Sequence, residues 1–210
     1  MMPVDIATLS AFIVAATALV ISPGPDTILI IRYTLASGRR VGLAAVAGVQ
    51  MGLVIHTTLA VAGISLIIAS SPILFKAVAT LGALYLGWLG LQGFRGGGAL
   101  KFGGGASVTA AKALRDGALC NLLNPKVILL FLALIPNFIE PERDNTSAQL
   151  ITFAATLIIL NSLWQAPLAW AAEKVRGWLT TPSVTRAVSR ISGIILLGFA
   201  GLMIYDNILR

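Results

Sequence analysis

The stretch Ser22-Pro23-Gly24-Pro25-Asp26 interrupts an apolar run that extends from about Ile6 to Leu35, and Asn124-Pro125-Lys126 interrupts another from about Ala113 to Phe138. Proline lacks the amide hydrogen and its ring clashes with the preceding turn, so each stretch ends one half-helix and starts another. Pro25 is placed to open the second half of the first pair. Asn124 and Pro125 suit the N-cap and first position of the second pair. Backbone groups freed in hydrocarbon need partners, so such breaks belong where they face protein or a wet cavity. A competing reading makes Pro23 and Pro25 surface punctuation. The apolar residues on both sides, Ala11 to Ser22 and Thr27 to Ile31, argue against it.

Working outward, the chain reads as six membrane segments. Besides the two interrupted ones, they cover about Val41–Ala69, Pro72–Phe94, Ala148–Ala172 and Val188–Tyr205. A span of about 30 Å takes about 20 helical residues. Only 11% of the 210 residues are charged and 57% are hydrophobic, with a mean hydropathy of +0.91. A soluble domain carries roughly 25% charged residues. The net charge of +7 has a topological meaning here. Arg39 and Arg40 follow segment 1, with Arg32 just before them; Arg95, Lys101, Lys112 and Arg115 follow segment 3; Lys174, Arg176, Arg186 and Arg190 follow segment 5. The loop after segment 4 is acidic, with Glu140, Glu142 and Asp144 against Arg143. The positive-inside rule puts the basic loops in the cytoplasm and both termini outside, in an inner-membrane multi-pass chain. No Lys or Arg precedes Arg32, so the basic region of a cleavable signal is missing.

The two breaks also match each other. Pro25-Asp26-Thr27-Ile28-Leu29 aligns with Pro125-Lys126-Val127-Ile128-Leu129 at an offset of 100. Gly82, Gly87, Gly90 and Leu91 align with Gly193, Gly198, Gly201 and Leu202 at an offset of 111. The expected fold is therefore an all-α membrane protein of two inverted three-helix repeats. Residues 1–210 form one transporter domain: repeat 1 over about 1–95, a Gly-rich cytoplasmic linker over about 96–112, and repeat 2 over about 113–210. Matched Gly/Pro interruptions in inverted repeats point to a transport site.

The residue types at the breaks suggest the guest. A half-helix start offers free N–H groups and the positive end of a dipole, which favour a carboxylate. Asp26 and Lys126 occupy equivalent positions after the breaks, and charges at membrane depth survive only when paired, hydrated or functional. Together they suit a zwitterion, with Lys126 for its carboxylate and Asp26 for its ammonium. Asp26 is also a candidate proton carrier. The alternative is a structural Asp26–Lys126 ion pair locking the repeats. The candidate substrate-binding residues are Pro23, Gly24, Pro25, Asp26, Asn121, Asn124, Pro125, Lys126, Asn161 and Trp164. Gln165 is a further amide within an apolar run, for which interhelical bonding is an equal explanation. His56, the single histidine, is a second candidate for proton coupling. Gly48 and Gly52 read as a close-packing pair.

Other classes fit poorly. The single cysteine, Cys120, gives no redox pair. One histidine and one cysteine make no metal site, which argues against metal efflux. Asp26 is the one clear intramembrane acid, too little for an intramembrane protease, and no basic stripe suggests nucleic acid. No cofactor is expected. Partners are the small-molecule substrate, protons and lipids; a homo-oligomer is compatible with the sequence.

Ser22-Pro23-Gly24-Pro25-Asp26, the Gly48 to Gly52 stretch, and Asp116-Gly117 through Asn121-Leu122-Leu123-Asn124-Pro125-Lys126 to Pro136-Asn137-Phe138 resemble the lysine exporter (LysE/RhtB) family, over essentially the whole chain. The resemblance implies efflux of amino acids of the threonine, homoserine, lysine or leucine type, driven by the proton gradient, and no enzymatic activity. Asp26 stands where members have Asn or Asp, and Asn137 where Gln is common.

Overall fold

The computed structural model describes residues 3–22, 24–70, 72–94, 108–140, 142–143, 145–172 and 181–205. Pro23, residues 96–107 of the expected Gly-rich linker, and Lys174 and Arg176 of the basic loops lie outside the described residues, while the end of that linker opens the helix that starts at Ala110.

The described residues are all helical or loop, without strands. The helices are α1 (Ile6–Ile21), α2 (Pro25–Ser37), α3 (Arg39–Ser70), α4 (Pro72–Phe94), α5 (Ala110–Leu122), α6 (Pro125–Leu129), α7 (Thr146–Trp170) and α8 (Pro182–Ile204). Two stretches among them, Arg39–Gly63 and Thr146–Trp170, are each long and apolar enough to cross a membrane. The pairs α1 with α2 and α5 with the segment to Phe138 meet the same test as bent spans, at 52° and 58°. Among the described residues the candidate spans thus number two, or up to four if each bent pair is one. The third and sixth expected segments fall on α4 and α8. In α8 the apolar part is the shorter Gly193–Ile204. That helix begins six residues before the expected Val188 because Thr181 and Pro182 supply an N-cap position and a pre-set first turn.

Both interruptions produce helix starts. Gly24 is the extended N-cap of α2, with Pro25 at the first position. The Asn124 side chain accepts from the Lys126 amide, and Pro125 opens α6. The fourth segment is less regular than its sequence suggests. After α6 it widens into a π turn over Leu130–Leu134 and tightens into a 3-10 turn over Ile135–Phe138. Pro136 has no amide hydrogen to continue the α pattern, so the ladder changes register on approach to it.

Packing brings the breaks to the centre. α3 lies along α5 and α7, α4 along α8, and α1 against α7 and α8. The α3–α5 crossing is very close. A Cβ on Gly48 would lie 2.0 Å from the Leu114 carbonyl oxygen, and one on Gly117 would lie 2.3 Å from that of Ala45. The main apolar core joins α1, α7 and α8 with the π and 3-10 turns, around the fully buried Phe12 and Phe153.

Candidate functional site

The charged side chains after the breaks reach across to each other's break. Lys126, the second residue of α6, donates from Nζ to the Ser22 carbonyl at 2.9 Å. Ser22 is the C-cap of α1, where carbonyls lack helical partners and the dipole is negative. The ammonium thus caps a half-helix of the first bent pair. In the other direction, Asp26 Oδ2 accepts from Asn121 Nδ2 at 3.1 Å and, more weakly, from Asn124 Nδ2 at 3.5 Å. Asn121 closes α5 and Asn124 opens α6, so the carboxylate bridges both halves of the second pair. Asp26 and Lys126 form no ion pair within 4.0 Å. The two charges brace opposite breaks rather than each other.

Around them lies a small cavity. Its lining includes Ser22, Gly24, Asp26 and Thr27 from the first break, and Asn121, Asn124, Lys126 and Val127 from the second. Leu53 of α3 and Leu157, Asn161 and Gln165 of α7 complete the wall, with Leu19, Val20 and Leu130. The space open to the centre of a water-sized sphere is about 40 Å³. That holds a few waters, since one needs about 10–15 Å³ by this measure. An amino acid requires the walls to part.

Apolar and polar contacts flank the cavity along the helices. Toward the start of α1, Phe12 meets Phe138 and Phe153 at ring-centroid distances of 5.3 and 4.8 Å. Beyond them, Arg143 bonds Glu140 at 2.5 Å, and Gln149 clamps the Glu140 backbone from both sides at 2.9 and 3.0 Å. Toward the other end, Ile31 and Leu168 are buried together, with Leu35 and Trp164 against them. One turn further, the Arg39 guanidinium stacks 3.8 Å above Trp170. On this side Tyr33 donates to Asp116 at 2.6 Å, and Lys112 pairs with the same carboxylate.

Of the residues singled out from sequence, Gly24, Asp26, Asn121, Asn124, Lys126 and Asn161 line the cavity. Pro25 and Pro125 set the helix starts, and Pro25 is not among the described lining residues. Trp164 packs in the Ile31–Leu168 seal instead, with its indole nitrogen buried and unpartnered. His56 is also outside the lining; its ring stacks on Phe131 of the π turn at 5.4 Å and 21°. Ser22 and Thr27 line the cavity without having been singled out as site residues. Ser22 contributes through its carbonyl, a role any residue type could fill, so its side chain gave no signal. Gln165, left undecided in the sequence, is a lining residue, and its Oε1 accepts from Gln50 at 3.2 Å.

Comparison with known proteins agrees with this architecture. A family profile described as LysE type translocator matches residues 17–207. The uncharacterized membrane protein YrhP of Bacillus subtilis (strain 168) is 33% identical over 202 residues, covering 91% of this chain and 96% of its own. A homoserine/homoserine lactone efflux protein of Salmonella typhi is 31% identical over 188 residues, covering 89% and 91% respectively. A leucine efflux protein of Enterobacter sp. (strain 638) is 30% identical over 199 residues, covering 90% and 91%. No solved structure matches the chain. With a match over nearly its full length and two bent helix pairs meeting at a cavity that carries Asp26 and Lys126, this chain belongs to the LysE type translocator family of membrane transporters.

Proposed function

We propose that this protein exports a zwitterionic amino acid from the cytoplasm across the inner membrane. The observation that carries the reading is the arrangement of Asp26 and Lys126. Both charges line one cavity at the crossing of two helix breaks, and neither neutralises the other directly. Asp26 Oδ1 is buried without a hydrogen-bond partner, so the carboxylate retains an acceptor. Among the described residues Lys126 has one hydrogen-bond partner for a group with three donors. A substrate ammonium at Asp26 and a carboxylate at Lys126 supply what each lacks. The efflux proteins of Salmonella and Enterobacter described above favour the same substrate class.

The architecture proposed for this transport is two inverted three-helix repeats. The packing supports it: α3 against α7 and α4 against α8 are self-paired contacts under the repeat, and α3 against α5 is matched by α7 against α1. In such a frame the substrate enters from the cytoplasm between Ile31 and Leu168, docks at the breaks, and leaves past Phe12 and Phe138. The basic loops place the Arg39 end in the cytoplasm and both termini outside. Coupling is by proton antiport, with Asp26 the carrier; His56, which stacks on Phe131 and bonds the backbone of the lining residue Asn121, is the second candidate.

Efflux from preloaded cells or proteoliposomes against an amino-acid panel tests the reading. Asp26→Asn and Lys126→Ala should each reduce efflux at least about tenfold at unchanged membrane levels, because a hydrogen bond to a charged group contributes about 1.5–3 kcal/mol. Near-normal efflux from both variants would reject the site. Export of divalent metal with no amino-acid efflux would reject the function.

A further inference from the structure

The cavity wall divides by chemistry. Its charges come from α2 and α6, whereas α7 contributes Leu157, Asn161 and Gln165, spaced four residues apart on one face. Asn161 is 8% exposed and makes no side-chain hydrogen bond among the described residues. Its amide is not among the solvent-inaccessible orphans, so its residual exposure is to the cavity. Gln165 is 2% exposed and held by its oxygen, which accepts from Gln50 Nε2. Its own NH₂ group has no protein acceptor among the described residues. Two neutral amides within an apolar span are costly to leave unmatched. Interhelical bonding, the ordinary reason for an amide in such a helix, is absent at Asn161 and uses only one end of Gln165.

The geometry points to Asn161 and Gln165 as the subsite that selects the substrate side chain, favouring an uncharged, hydrogen-bonding one. This rests on the amino-acid export reading. An amide offers both donor and acceptor, which a hydroxyl matches and a methyl does not. A cationic side chain would need a second acid, and Asp26 is the single carboxylate among the lining residues. A site built to bond a hydroxyl discriminates strongly against the analogue lacking it, because its own polar groups are then left unpaired.

Homoserine and norvaline differ by a hydroxyl in place of a methyl, which makes them a near-isosteric pair of probes. The wild-type protein should export homoserine at least about tenfold faster than norvaline, and lysine poorly. Gln165→Leu and Asn161→Leu should each bring the homoserine-to-norvaline ratio toward one by slowing homoserine. Gln165→Glu should gain lysine export, a result that loss of folding does not imitate. Equal wild-type rates for homoserine and norvaline, or preferred export of lysine, overturn the subsite while leaving amino-acid export standing. Variants that slow both probes with an unchanged ratio also overturn it. Absence of any amino-acid efflux from the wild-type protein overturns the export reading itself.

Discussion

Asn124 shows how much one residue does at a break. Its Oδ1 accepts from the Lys126 amide at 3.1 Å and fixes the start of α6, while its Nδ2 lies 3.5 Å from Asp26 Oδ2. A capping asparagine replaced by alanine costs about 1 kcal/mol. Asn124→Ala should therefore lower the thermal midpoint in detergent by a few degrees and also reduce efflux, since Lys126 loses its fixed starting point. A variant with wild-type stability would show that Pro125 alone sets this helix start. Cap and proline were legible in the sequence because capping is local chemistry. The destination of the Lys126 ammonium was not: Ser22 is 104 residues away, and its contribution is a backbone oxygen. The sequence raised an Asp26–Lys126 lock as an alternative. The folded chain gives each charge a different partner because helix ends and amides lie nearer than the opposing charge.

At the scale of elements, the glycines at the α3–α5 crossing determine whether the second break can reach the first. Gly48 and Gly117 face carbonyl oxygens of the opposing helix, which cannot rotate aside as a side chain would. Gly48→Ala should force the helices apart and sharply reduce the yield of monodisperse protein in detergent. Gly63, on the same helix, has nothing within 4 Å of an added Cβ. Gly63→Ala should be neutral or stabilising by up to about 1 kcal/mol. Equal behaviour of the two variants in size-exclusion and melting experiments would refute the close-crossing account. The Gly48 and Gly52 pair signalled close packing in the sequence, but not against which helix. The π and 3-10 turns before Phe138 gave less warning. Pro136 predicts some disturbance, whereas its form depends on which neighbours fill the gap.

Across the whole molecule, the start of α1 is tied to the segment before α7. Asp5 caps α1 by accepting from the Ala7 and Thr8 amides at 2.7 and 2.9 Å, and Arg143 lies 3.9 Å from its other oxygen. The Thr8 hydroxyl and amide bonds hold the Asp5 carboxyl well below the usual carboxylate range. With the folded value depressed, its contribution to stability is present above the unfolded value of about 4 and is lost as pH falls through the folded one. Wild-type and Asp5→Asn proteins should therefore differ in thermal midpoint by a constant amount between about pH 6 and 8, and converge in strong acid. A difference that grows on acidification would contradict this origin. The exposed position keeps the effect small and salt-sensitive.

The sequence by itself determined that the chain is a helical membrane protein with two proline-marked breaks and a charge after each. Hydropathy, proline sterics and capping act over a few residues, so a linear reading captures them. It also identified Asp26, Lys126 and three of the lining amides as site candidates, because polar groups in apolar runs are conspicuous. Only the tertiary structure decided that Asp26 meets Asn121 and Asn124, that Lys126 caps α1, and that Asn161 and Gln165 face the cavity whereas Trp164 and His56 do not. Those outcomes depend on the rotation of each helix about its axis. That rotation is set by close contacts such as Gly48 on Leu114, between residues far apart in the chain.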